Sequence, residues 1–414
     1  IQTWNANNDN PKFILATPEE FFEYLVANYD SQIPEHSGNW TSLWDGGSMT
    51  EPKSEKIVKN AQDEVLATEK MWAIASEVGL GTYPHDEFTN AWDMMLTVDE
   101  HSGGGGGWAD YFTQEEVDAN SEQHYGYALS ASASAVLTRT TAEEALLDAL
   151  AAPQGDSIVV FNPLSWPRTD LVRVVLPSAL FESEFTLQDS LGNVPYQKIP
   201  ETGQIVFVAD QVPSVGFKRY WIAAGSPPAT SSSLVVGAQS IENSRYRITV
   251  NANGHVTSFQ DKVAARELIN TGSSLNFNRV VVATNIEHFF GTHRVVPDSV
   301  STTISAEMTG PVAASLRIEN ASHPLKSVRI VLYDQLDRVD LVNTVDRQQM
   351  EYAPLSVNSI YYALTYPLQL TGHKVRIDTA AGWLDPAVQS LPGSYRGSHC
   401  IQHALDISES GYGV

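Results

Sequence analysis

The chain of 414 residues has a single cysteine, Cys400, and that one scarcity removes several chemistries at once. It can form no internal disulfide, and with no partner cysteine it can build neither a zinc knuckle nor an iron-sulfur site, so any metal has to be held by His, Asp or Glu. Positive charge is also short. Lys and Arg together number 25 against 49 Asp and Glu, a net charge of -24 that opposes any sizeable phosphate-contacting surface and with it a nucleic-acid partner. Long apolar runs are missing: Ile205 to Ala209 is typical, far short of the roughly 20 residues that a membrane-spanning helix needs. The chain opens without a basic stretch followed by an apolar one, so no signal peptide is visible. There is no G-x-S-x-G turn for a serine nucleophile. Five glycines at Gly103–Gly107 lack the Lys-Ser/Thr of a phosphate loop and are preceded by a helical pattern rather than a strand.

What is present divides along the chain. Hydrophobic residues make up 42%, normal for a folded protein, and the length exceeds what one core usually supports. At the start a strand-like KFILA (Lys12–Ala16) runs into Thr17-Pro-Glu-Glu, where the Thr17 hydroxyl and Glu20 are spaced as a capping box for a helix. From Pro52 to about Leu150 the period is helical. Ile57, Ala61, Val65, Thr68, Trp72 and Ala75 draw one stripe on a long helix whose far side is charged. Phe88, Trp92, Met95 and Val98 mark a second helix, and an Ala/Ser-rich third is expected over about Thr113 to Arg139. This predicts a three-helix bundle.

At Gly155 the pattern changes to alternating and continuous β-branched runs, SIVVFN, DLVRVVL, QIVFVAD and FKRYWIA, and helical periodicity is not expected to return. Such strands need two facing sheets to bury their apolar sides, so a small β-sandwich is expected to about Ala224. A Gly/Pro/Ser-rich linker, Gly225 to Ser233, follows. Beyond it a long all-β region opens with a hairpin turning at Asn253-Gly254 and contains a second, RIVLYD with RVDLVNTVD, around Gln335–Asp337. The end, HCIQHALDISESGYGV, reads as a strand and an open loop.

Three segments carry a resemblance: NAWDMMLTVDEHSGG (Asn90–Gly104), SIVVFNPLSWPRTDLVRVVLP (Ser157–Pro177) and SIENSRYRITVNANGHVTSFQDKVAARELI (Ser240–Ile269). In that order they resemble the glycoside hydrolase family of the zinc-dependent α-mannosidases. The resemblance implies a multidomain α+β chain. Residues 1–51 would be the end of an N-terminal (β/α) catalytic domain that is otherwise missing, and 52–152 a three-helix bundle. Residues 153–229 would form a small β-sandwich and 230–414 a large, truncated one of the galactose mutarotase-like kind.

The same resemblance implies a retaining glycosidase for α-mannosides or similar α-glycosides, with zinc as cofactor and a carbohydrate as substrate. In the family a His-x-Asp pair and a second Asp, the nucleophile, come from the catalytic domain, and one further His comes from the bundle. His101, nine residues after Trp92 and before the glycine run, matches that last zinc ligand. No catalytic carboxylate is expected in this chain. Where the family commonly has His-His-Asp this chain has Glu100-His101-Ser102, so the carboxylate after the ligand is absent. Asp99 and Glu100 beside it are candidates for substrate hydroxyls, and Trp108 for stacking on a sugar ring. The residues alone favour His101 as a cation at a helix C-terminus, and only the resemblance turns it into a ligand. Two other readings stand beside the hydrolase: a non-catalytic carbohydrate-binding β-sandwich protein, and a diverged relative without zinc.

Overall fold

The computed structural model describes residues 1–40, 51–99, 113–150, 155–283, 293–351, 361–380, 382–396 and 399–414. The chain forms two compact units, one of Ile1–Leu43 with His373–Val414, the other of Trp44–Gly372. No helix among the described residues is long and apolar enough to cross a membrane.

In the first unit, helix α1 (Gln2–Asn7) precedes helix α2 (Pro18–Tyr29). The expected capping box is formed: the Glu20 amide donates to Thr17 Oγ1 at 3.2 Å and the Thr17 amide to Glu20 Oε2 at 2.8 Å. The KFILA segment, by contrast, is not a strand. Among the described residues no strand pairs with it, and the Phe13 amide is satisfied by Asn5 Oδ1 at 2.8 Å instead. Strands Gly382–Leu384, Lys374–Thr379, Leu405–Glu409 and Tyr412–Gly413 make an antiparallel sheet. The last two close as a hairpin, with Ile407 and Val414 exchanging both backbone bonds at 2.9 Å, where the sequence suggested an open loop.

The second unit begins with the bundle: α3 (Pro52–Glu77), α4 (His85–Val98) and α5 (Gln114–Ala149). The stripe of α3 is buried from Ala61 through Val65, Thr68, Trp72 and Ala75, while at its start Val58 is buried and the expected Ile57 is half-buried against the same core. It meets Phe88, Ala91, Met95 and Val98 of α4 and Ala128, Ala131, Ala135 and Ala142 of α5. The alanines let α5 approach closely enough for the Trp72 indole N–H to donate to the Thr138 carbonyl at 3.0 Å. Helix α5 runs ten residues beyond the expected Arg139. Ala142 continues the buried stripe, and Arg139 pairs with Glu143 one turn on at 3.2 Å, so nothing local stops the helix there.

Two sheets follow. One is ordered Ser157–Asn162, Gly216–Ala224, Phe185–Asp189, Gly192–Asn193; the other Arg168–Val175, Gln204–Val212, Tyr196–Ile199. Ile158, Phe185, Leu187 and Tyr220 of the first face Ile205, Phe207, Ala209 and Val212 of the second across one core, the small β-sandwich expected. Phe161 packs on the bundle. The continuous run Ile205–Ala209 is buried on both faces. Its odd members fill this core, while Val206 and Val208 pack on Val312 of the next sandwich.

Helical structure does return here as single turns at Ser178–Glu182, which follows Pro177, and, in the first unit, at Pro386–Gln389, whose proline holds the first helical position.

The linker is extended but not loose. Asp334 Oδ1 accepts from the Ser233 amide at 2.7 Å, its hydroxyl at 2.8 Å and the Ser232 hydroxyl at 3.2 Å. Three antiparallel sheets then surround one core that includes Ile241, Ile248, Val282, Leu316, Ile318 and Ile330. Both expected hairpins are present, Tyr246–Val250 with Val256–Asp261 and Leu325–Tyr333 with Val339–Val345. The two sandwiches share a seam. The buried Gln197 side chain accepts from the Ala313 amide at 3.1 Å, and Arg338 reaches Asp170 at 2.8 Å.

Candidate functional site at the end of the helical bundle

Because α3 and α4 run antiparallel, the start of α3 and the end of α4 lie at one end of the bundle, where α5 also begins. Glu51 precedes α3 and accepts from the Ser121 hydroxyl of α5 at 2.5 Å. Lys53 lies 3.6 Å from the centre of the Tyr125 ring, a cation–π contact that ties the same two helices. His124, next to it on α5, is buried, with the edge of its ring toward Tyr127 at 6.2 Å between centroids.

Two carboxyls define the chemistry of this end. Asp99 follows the last residue of α4, its amide bonded to the Met95 carbonyl at 3.1 Å. Burial pushes its carboxyl up from the ordinary range, and the Lys59 ammonium opposes that. Glu55, in the first turn of α3, is pushed up to about 7, first by burial and then by the Asp99 charge, against the pull of Lys59. Glu55 thus keeps its proton to about neutrality, so its carboxyl can donate a hydrogen bond below that pH and only accept above it. Lys59 is held in turn by Gln62 at 3.3 Å.

Of the residues expected from sequence, Asp99 is placed here. Glu100, His101 and Trp108 lie outside the described residues. Among the described residues no group of three or more His, Cys, Asp or Glu side chains is placed to hold a metal ion. His124 and Tyr125 border the same end. His403 pairs with Asp378 at 3.2 Å, and burial pushes the His399 ring below its ordinary value. Glu55 and Lys59 are functional candidates that the sequence reading, which took the far side of α3 only as charged, does not single out. The signal that marks them is their separation of four residues, which puts both on one face at the end where α4 terminates.

A helical region followed by several antiparallel sheets around separate cores makes this a multidomain α+β chain, and its fold is like that of larger solved proteins. Two solved structures show the likeness. One is a protein in glycosyl hydrolase family 38 from Enterococcus faecalis, at TM-score 0.62 and 14% identity over 91% of this chain and 51% of that one. The other is an α-mannosidase from Enterococcus faecalis V583, at TM-score 0.62 and 13% identity over 92% of this chain and 50% of that one. The chain therefore spans about half the length of the structures it matches. No family model and no curated protein sequence matches it.

Proposed function

We propose that the chain is part of a retaining glycoside hydrolase acting on α-mannosides or similar α-glycosides, to which it contributes the rim and scaffold of the pocket. The observation that supports this most is the fold likeness over nine-tenths of the chain to a family 38 protein and an α-mannosidase. In this reading residues 1–51 end the catalytic domain, 52–152 form the bundle, 153–229 the small sandwich and 230–414 the large one. His101 is the bundle's zinc ligand, and Asp99, Glu100 and Trp108 border the sugar. A bound zinc would supply coordination of sugar hydroxyls and a Lewis acid beside the anomeric centre. Asp99 and Glu55 offer carboxyl groups to sugar hydroxyls, and Glu55 can donate as well as accept near neutral pH. The nucleophile and the acid/base lie outside this chain, so the isolated chain has no turnover in this reading.

The test is zinc content and turnover of p-nitrophenyl α-mannoside and related α-glycosides by the intact protein and its His101→Ala variant. Loss of both in a folded variant supports the assignment. Zinc and turnover unchanged in the variant would remove His101 from the site. A wild-type protein with neither zinc nor turnover would favour the diverged relative.

A further inference from the structure

The large sandwich contains a charged cluster unconnected with the bundle. At the Asn253-Gly254 turn, the Asn251 side chain accepts from the amides of Asn253 and His255, both at 3.0 Å, which fixes the backbone that carries the His255 ring. The ring faces Arg279, from the strand Arg279–Ala283, and Asp298, from the loop that follows the strand His293–Val295. Arg279 donates to the Val296 carbonyl of that loop at 2.7 Å and pairs with Asp298 Oδ1. The other Asp298 oxygen accepts from the Asn253 side chain at 2.8 Å. A cavity of about 30 Å³ adjoins these groups, room for about two waters. His323 lines it from the turn before Leu325, whose amide donates to its Nδ1 at 3.0 Å.

One atom of this cluster has partners with opposite demands. His255 Nε2 touches Arg279 Nη1, a donor only, and lies 3.0 Å from Asp298 Oδ1, an acceptor only. Arg279 can donate to Nε2 only if that nitrogen has a free lone pair, which puts the ring proton on Nδ1. Asp298 can accept from Nε2 only if that nitrogen bears hydrogen. A single nitrogen cannot do both, so protonation of the ring forces an exchange of partners.

We propose that His255, Arg279 and Asp298 form a proton-operated clasp between the 251–255 turn and the 296–301 loop, in which His255 Nε2 trades Arg279 for Asp298 on acidification. In the neutral state Arg279 bridges the ring, the Asp298 carboxylate and the Val296 carbonyl. In the protonated state two cations share one carboxylate, and the Arg279–ring bond is lost. Electrostatics favour the neutral state: burial and then the Arg279 charge push His255 below its ordinary 6.5, with His323 adding to them and Asp298 opposing. The clasp is therefore complete above about 6.5, and its contribution is lost as pH falls below that value toward the depressed one.

The test is amide hydrogen exchange of residues 251–255 and 296–301 in the whole chain, compared at each pH with His255→Gln so that intrinsic exchange cancels. Between about pH 7.5 and about pH 5, wild-type protection of both segments should fall by about tenfold relative to the variant. His323→Gln should leave that fall in place. A ratio of wild type to variant that does not change with pH overturns the proposal. Should His255→Gln fail to fold, the wild-type ring reports directly through its ¹⁵N shifts. Hydrogen on Nδ1 at neutral pH, moving to both nitrogens on acidification, agrees with the clasp; hydrogen on Nε2 at neutral pH refutes it.

Discussion

Replacing Glu55 by Gln keeps the shape of the side chain and removes its charge, and the structure fixes how the effect must vary with pH. Glu55 ionises at about 7 in the fold against an ordinary 4.5, burial being the first cause and Asp99 the second. Below 4.5 the carboxyl is protonated in folded and unfolded chains alike, so the variant and the wild type should be equally stable. As pH rises from 4.5 through about 7, the unfolded chain releases its proton first and the wild type alone loses stability. A shift of this size in a site sealed from water would be worth about 3 kcal/mol. Glu55 is only half-buried, and solvent screening reduces this to about 1 kcal/mol. Glu55→Gln should thus be the more stable protein by about that amount above neutral pH. Hydrogen exchange of the α3 amides, compared between the two proteins across the pH range, measures it. A wild type that is the more stable of the two in alkali would mean that Lys59 outweighs burial, and Glu55 could not then hold a proton at neutrality.

Other substitutions test the β regions. Gly254 adopts φ +77°, and a Cβ there would lie 2.5 Å from a methyl of Ile318. Gly254→Ala should therefore cost about 2–4 kcal/mol, read as a lowered melting temperature, and an unchanged melting temperature would contradict that geometry. Asp334→Ala removes three of the five bonds that hold Ser232 and Ser233, leaving those from the Leu234 and Ser244 amides, so protease cleavage within 225–233 should accelerate about tenfold while the sandwich cores keep their stability. Equal cleavage of both proteins would mean that the linker is held by other contacts.

Where structure follows from near neighbours, the sequence showed it clearly. The capping box at Thr17 and Glu20 and the stripe from Ala61 to Ala75 need only contacts within one helix or a fixed period. The two hairpins need only a turn and matched strands. KFILA failed for the complementary reason, since a strand exists only with a partner and its own residues say nothing about whether one is near. The run Ile205–Ala209 was legible as a strand, but not why both faces are apolar, because Val312 lies about a hundred residues on. The candidate site divides in the same way. Asp99 was visible beside His101, whereas Glu55 became interesting only when antiparallel packing brought its end of α3 to the end of α4. The His255 cluster draws its members from three separated segments, a juxtaposition that no spacing along the chain announces.

The Gln197 and Arg338 contacts bear on how this chain can be recombined. Composition places the obvious crossover point in the Gly/Pro/Ser segment at 225–233, and a chimaera joined there would exchange one sandwich for that of a relative. Such a hybrid would keep a buried glutamine without the Val312 and Ala313 amides, and Val206 and Val208 without their apolar cover. Shuffling should therefore succeed only when the two sandwiches are inherited together, which makes the pair, rather than either member, the transferable module.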